Sequence, residues 1–201
     1  MIGIADYGSG NLRNVQAALE RLGHESVITD DTKILDNTRA VILPGVGAFG
    51  DSMDMLRRTN MADFIASWVR RGNYLLGICV GMQMLFERSF EFGEHQGLGF
   101  MKGDVRQFSF ESLKVPHMGW NELVIAKDSP LIKDIADGEF VYFVHSFYAQ
   151  ASEEDLIAYT EYGVKAAAAV GRGNIFGVQF HPEKSAAAGA KILKNFMELA
   201  K

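Results

Sequence analysis

The segment Gly77-Ile78-Cys79-Val80-Gly81 sets the chain's one cysteine between two glycines, just after an unbroken apolar run from Tyr74 to Ile78. A G-x-C-x-G at a strand-to-helix junction is the thiol counterpart of a nucleophile elbow. The sharp turn lifts the nucleophile above the sheet, and the glycines let strand and helix approach each other. A thiol so placed also faces a helix N-terminus, whose partial positive charge favours the thiolate. The competing reading is plain: a lone cysteine often behaves as a small buried hydrophobe.

His181-Pro182-Glu183 follows a second apolar run, Ile175 to Phe180. In extended chain, residues i and i+2 project to one side, about 6.6–6.8 Å apart, and Pro182 biases His181 towards that geometry. Glu183 can then hold one imidazole nitrogen while the other faces a thiol, as in a Cys-His-acid triad. Alone, His181 reads equally as a surface histidine before a helix. Together, an elbow cysteine and an H-x-E at the end of a later strand favour catalysis, because both fall at the carboxyl edge of a parallel sheet.

Pro44-Gly45-Val46-Gly47-Ala48-Phe49-Gly50 contains G-x-G-x-x-G after a strand. As a dinucleotide fingerprint it is poor: it follows the third strand, not the first, and no strand-ending acidic residue lies about 20 positions on. As an oxyanion hole it fits better, with backbone N–H groups of Val46 and Gly47 on one side and of Val80 on the other. Gln83 lies one helical turn after Cys79 and either holds a polar group of a substrate or is solvated. The five histidines, at 24, 95, 117, 145 and 181, make no metal-binding cluster, so no metal or other cofactor is expected. The aromatic tract Phe140 to Tyr148 alternates with period two and reads as a core strand, not a base-stacking platform.

The elements that position these residues form an α/β pattern. Strands are predicted at Ile2–Ala5, Ser26–Thr29, Ala40–Leu43 and Tyr74–Ile78, with a helix from Leu12 capped by Gly23 and another from Met61 to Arg71. That is a mostly parallel, doubly wound sheet with helices on both faces. In the second half, strands near Phe100–Phe108, Lys114–Pro116, Glu122–Ile125 and Phe140–Phe147 suggest an antiparallel extension. Ala166–Val170 and Ile175–Phe180 straddle a Gly-Arg-Gly-Asn turn as a hairpin, and Ser185 to Lys201 reads as a closing helix. With no repeat or linker, residues 1–201 read as a single domain.

Composition agrees with a globular protein and excludes other classes. Of the 201 residues 48% are hydrophobic, and 20 Lys+Arg against 25 Asp+Glu leave a net charge of −5, which gives no electrostatic reason to approach nucleic acid or an anionic membrane. The longest nearly apolar run, Tyr74 to Phe86, is shorter than the roughly 18–20 residues a membrane span needs. One cysteine and no basic-then-apolar leader at the start read as cytoplasmic.

The three signatures Pro44-Gly45-Val46-Gly47, Gly77-Ile78-Cys79-Val80-Gly81-Met82-Gln83 and Phe180-His181-Pro182-Glu183 resemble, in order along the whole chain, those of class I (triad) glutamine amidotransferases. Asp6-Tyr7-Gly8-Ser9-Gly10-Asn11 and Pro116-His117-Met118-Gly119-Trp120-Asn121 narrow the resemblance to the branch of glutaminase subunits of imidazole glycerol phosphate synthase. The resemblance implies Cys79 as nucleophile, His181 as base, Glu183 as its orienter, and Gln83, Ser146 and Phe147 around a glutamine substrate. It also implies a heterodimer with a (β/α)8-barrel cyclase that consumes the ammonia in histidine biosynthesis, with Asn11, Trp120, Tyr142 and Lys184 as candidate docking residues. Many relatives carry Gly-Gly where this chain has Val46, and the bulkier residue points to an oxyanion hole that is incomplete at rest. A paralogue serving another synthase, a stand-alone cysteine hydrolase, and a cysteine redox sensor are the alternatives.

Overall fold

The computed structural model describes residues 1–110 and 113–200. The first half alternates β1 (Ile2–Ala5), α1 (Leu12–Arg21), β2 (Ser26–Thr29), α2 (Thr32–Leu35), β3 (Ala40–Gly45), α3 (Phe49–Arg58), α4 (Met61–Arg70), β4 (Tyr74–Cys79) and the single turn α5 (Val80–Gln83). The second half holds β5 (Phe86–Ser89), β6 (His95–Gln96), β7 (Met101–Gln107), β8 (His117–Glu122), β9 (Val124–Ile125), β10 (Phe140–His145), β11 (Phe147–Ala151), β12 (Leu156–Glu161), β13 (Lys165–Arg172), β14 (Ile175–Val178) and α6 (Ala186–Leu199).

The main sheet has eight strands in the order β2-β1-β3-β4-β14-β13-β12-β9. Its first five strands run parallel and the last three antiparallel. The order reverses at β1, so right-handed crossovers send α1 to one face and α3 and α4 to the other, opening a crevice beyond the carboxyl ends of β1 and β3. The apolar strand residues explain the burial: β1 and β3 are buried along their whole length, as expected for strands covered on both faces. The last strand, β14, slots in beside β4, with Gly177 opposite Gly77 and Val178 opposite Ile78. That register brings the chain beyond Val178, Gln179 to His181, alongside Cys79.

Several sequence expectations shift. β3 continues through Pro44 and Gly45 instead of stopping at Leu43; β1 pairs with β3 only through Ile42, so Pro44 interrupts no ladder on that flank. The helix α3 was not expected, because its Gly- and Asp-rich start masks an apolar face of Phe49, Met53 and Leu56. Lys114–Pro116 is not a strand: these residues are irregular, and pairing starts at His117. The runs Glu122–Ile125 and Phe140–Phe147 each divide in two, because the chain changes sheets at Leu123 and at Ser146. β8 and β10 pair as a ribbon, while β9 joins the edge of the main sheet and β11 pairs with β7 in a four-stranded sheet. β5, β6 and β12 were missed. The hairpin is real, with Arg172 opposite Ile175 around Gly173-Asn174, although β14 ends at Val178 rather than Phe180. The closing helix spans Ala186–Leu199, and its expected end at Lys201 lies outside the described residues.

Candidate active site

The elbow is enforced by backbone crowding. A Cβ added at Gly81 would sit 1.8 Å from the Leu43 carbonyl oxygen, and one at Gly77 would sit 2.6 Å from the Gly81 carbonyl oxygen. Cys79 itself adopts φ 57°, ψ −114°, a conformation that costs about 1–3 kcal/mol for a non-glycine residue and persists only where the surroundings impose it. The helix behind it is one turn long, so its dipole contributes little to the thiol; the geometry of the turn is what presents the sulfur. Cys79 is 4% exposed and opens into a cleft of about 330 Å³.

His181 arrives at the same cleft from the end of β14. Its backbone is extended, as expected before Pro182, and is fixed by its N–H to the Tyr142 carbonyl (3.0 Å) and by the Ser185 hydroxyl donating to its own carbonyl (2.7 Å). Its Nδ1 lies 2.9 Å from Glu183 Oε1, so Nδ1–H donates a hydrogen bond to the carboxylate and Nε2 is left for the thiol. The other oxygen, Glu183 Oε2, is buried without a hydrogen-bond partner. Burial disfavours the His181 imidazolium, but the neighbouring Cys79 and Glu183 more than offset it and raise the pKa to about 9.

The glycine loop lies where the oxyanion hole is expected. Val46, Gly47 and Val80 all line the cleft. As the first residue of its helical turn, Val80 has an N–H with no intrahelical acceptor. The Val46 N–H instead faces the Ser9 hydroxyl at 3.4 Å, and that hydroxyl donates to the Val46 carbonyl at 2.8 Å. Ser9 therefore ties down the peptide units on both sides of Val46, with the Val46 N–H on the hydroxyl.

Gln83, Ser146 and Phe147 line the cleft too. Gln83 is not solvated: its amide is buried, donating to the Phe147 carbonyl (2.9 Å) and to Gln179 Oε1 (3.0 Å). Of the expected docking residues, Asn11 and Lys184 line the cleft, while Trp120 and Tyr142 stand on the ribbon beside it. They are cross-strand partners with rings 6.1 Å apart, and Lys184 Nζ lies 5.8 Å over the Tyr142 ring. The same alternation exposes Met118 (62%), Trp120 (51%) and Phe140 (55%), a continuous apolar face on β8 and β10.

Among the residues missed are Glu91, on the cleft wall, and Gln179, fully buried behind it. Glu91, in the loop after β5, accepts the Phe49 N–H at 2.7 Å and so caps α3; partial burial raises its pKa. Nothing in the segment around it marks a site. Gln179 could have been found, since it sits two residues before His181. Among the described residues, no helix is long and apolar enough to cross a membrane, and no cluster of His, Cys, Asp and Glu could hold a metal ion.

Residues 3–199 match the family model described as glutamine amidotransferase class-I. The chain is 50% identical over 202 residues to imidazole glycerol phosphate synthase subunit HisH of Caldanaerobacter subterraneus subsp. tengcongensis, covering 100% of this chain and 99% of that protein. It is also 50% identical over 196 residues to the subunit of the same name from Lactococcus lactis subsp. lactis, covering 97% of this chain and 96% of that one. Among solved structures, PurLQS from Thermotoga maritima superposes with a TM-score of 0.78 at 25% identity, over 100% of this chain and 98% of the other. A crystal structure of glutamine amidotransferase gives 0.78 at 22% identity, covering 99% and 98%, which bears on the fold.

Proposed function

Because the chain belongs to the class-I glutamine amidotransferase family, we propose that it is the glutaminase subunit of an imidazole glycerol phosphate synthase and acts through Cys79, His181 and Glu183. The observation that carries this reading is the strained elbow cysteine facing a histidine whose second nitrogen is already held by a buried carboxylate. Cys79 Sγ attacks the carboxamide carbon of glutamine. The oxyanion that forms is stabilised by the Val80 N–H and by the glycine loop. His181 passes the thiol proton to the departing nitrogen, ammonia leaves, and a thioester remains. Water, giving a proton to His181, then hydrolyses the thioester to glutamate and restores the thiol. Glu183 keeps the imidazole in one tautomer. The Glu91 carboxylate on the cleft wall suits the α-ammonium of the substrate.

Ammonia in bulk water is mostly protonated and no longer nucleophilic, so an acceptor site must be close. The apolar face of Met118, Trp120 and Phe140, with Tyr142, Lys184 and Asn11 towards the cleft, is where a (β/α)8-barrel cyclase docks to form a heterodimer. The pinned Val46 peptide supports a gate: hydrolysis waits until the loaded partner turns that N–H into the cleft, adding a donor worth about 10²–10³ in rate. A lone thiol nucleophile also suits the reducing cytoplasm. The test is a steady-state assay of glutamate release by the chain alone, with the empty cyclase and with the cyclase bound to its nucleotide substrate. Strong stimulation by the loaded cyclase, with matched formation of imidazole glycerol phosphate, is expected. Full turnover by the isolated chain, unchanged by the partner, would overturn the gate and favour a stand-alone hydrolase.

A further inference from the structure

Behind the cleft, three side-chain amides and two imidazoles form one hydrogen-bonded chain through the Phe147 carbonyl, and backbone groups fix which way each of them points. The Phe147 carbonyl can only accept. It lies 2.9 Å from Gln83 Nε2 and 2.8 Å from His145 Nδ1, so both must donate to it. With one Gln83 N–H so engaged, the other meets Gln179 Oε1 at 3.0 Å, and Gln179 is left presenting its own Nε2 to Cys79 Sγ at 3.8 Å. Turning the Gln179 amide over would set two NH₂ groups against each other. Turning both amides would set the Gln83 carbonyl against the Phe147 carbonyl. One backbone oxygen thus decides that the sulfur faces a donor.

The far end of the chain gives the same polarity independently. Asn121 Oδ1 accepts the Glu122 N–H at 2.9 Å and its Nδ2 donates to the Glu161 carbonyl at 3.2 Å, so backbone groups orient this amide as well. Its Nδ2 lies 3.3 Å from His117 Nε2, which therefore accepts. His117 Nδ1 then donates to His145 Nε2 at 3.0 Å, which leaves His145 Nδ1 to donate to Phe147. Both imidazoles are neutral in this arrangement, and burial supports it by pushing His117 down to about 4 and His145 down to about 3. The His117 ring is held flat between Phe143 and Tyr162, with centroids 4.8 and 4.0 Å away.

We propose that Gln179 is a positioning residue for the nucleophile: locked in one orientation by Gln83 and the Phe147 carbonyl, it holds an N–H against the Cys79 sulfur and so favours the thiolate and fixes its line of attack. This rests on the reading of Cys79 as nucleophile. Among the described residues, the other charged or titratable groups that face Cys79 or share its cleft are His181 after β14, Glu183 through that ring, the Tyr7 phenol from the loop after β1, and Glu91, Lys184 and the neutral His145. Tyr7 donates its own proton to the Pro44 carbonyl and does not supply the sulfur with a hydrogen bond.

Because Cys79 is the only cysteine, alkylation of the full chain by iodoacetamide reports on it alone. In Gln179→Met, which keeps the length and loses the donor, the alkylation pH profile should move up by about one unit, with the rate at neutral pH about tenfold lower. In the complex with the loaded cyclase, kcat should fall while KM for glutamine stays within about twofold. Gln179→Glu, which turns a carboxylate oxygen towards the sulfur, should move the profile at least as far, and it serves if the methionine variant does not fold. Either variant, folded and with a wild-type alkylation profile, overturns the proposal. Failure of the nucleophile reading would look different: Cys79→Ala would then still hydrolyse glutamine, whatever the Gln179 variants do.

Discussion

His181 and His145 border the same cleft and are pushed in opposite directions, His181 up to about 9 and His145 down to about 3. Both are buried, and burial opposes the imidazolium in each. The difference lies in the partners. His181 meets a thiol and a carboxylate, groups that take on negative charge, whereas His145 meets a backbone carbonyl and another neutral imidazole. Burial alone makes a histidine a fixed, neutral hydrogen-bonding link; burial beside potential anions makes it an acid–base group. Cys79→Ala should break the contrast most severely. Without the sulfur, glutamine hydrolysis in the loaded complex should fall by about 10⁴–10⁶, while the partner still uses supplied ammonium. The His181 pKa, followed by NMR, should drop from about 9 towards the His145 side of the scale, since Cys79 is the foremost of the groups that raise it. A His181 that still titrates near 9 in the variant would place the cause elsewhere.

Glu183→Gln sharpens the same contrast, since it makes the partner of His181 as neutral as those of His145. The imidazole keeps a neighbour of the same shape but loses the charge that selects its tautomer. The expected loss is about 10³–10⁴ in kcat, less than for Cys79→Ala. Equal severity would mean that Glu183 also supports folding or docking.

Much of the charged half of this comparison was legible in the sequence. Gly77, Cys79, Gly81, His181 and Glu183 are short-range patterns whose spacing encodes their geometry, and the parallel order of β1 to β4 follows from apolar runs separated by helical stripes. The neutral half was hidden. His117, His145, Gln83 and Gln179 are joined only by the sheet change at Ser146 and by the β4–β14 register, which are long-range facts. The division of Phe140–Phe147 into β10 and β11 was equally hidden, because both strands continue one alternation and the change of partner leaves no mark on it. Glu91 reaches the cleft from a loop with no periodic signal at all.

The loop opposite the elbow offers a smaller effect on the same cleft. Ser9→Ala removes the hydroxyl that both receives the Val46 N–H and donates to the Val46 carbonyl. Freed of that latch, the peptide should sample the turned state more often. Glutamate release by the isolated chain should rise about three- to tenfold, a fraction of the full worth of one oxyanion donor, while the rate in the loaded complex stays nearly unchanged. No rise in basal rate would show that Ser9 does not hold the gate.

A test that leaves activity aside addresses the neutral histidines through stability alone. His145 binds its proton far more weakly folded, with a pKa of about 3, than unfolded, near the ordinary histidine value of 6.5. A depressed histidine pKa means that the unfolded chain takes up the proton first as pH falls, so the native state loses stability from about pH 6.5 downward. The contribution is complete above that range and is lost progressively towards pH 3, by about 2 kcal/mol between pH 6.5 and 4.5. His181 has the opposite sign: its raised pKa stabilises the fold fully below about 6.5, and that contribution is lost as pH rises towards 9. Carboxylates also titrate at the acid end, so the measurement is a difference. Urea unfolding of wild type and His145→Gln from pH 7 to 4.5 should show wild-type stability falling more steeply, by about one proton's slope, whatever the offset between the two proteins. Parallel curves would mean that His145 takes up a proton in the folded state, and the neutral link from Asn121 to Phe147 would not stand.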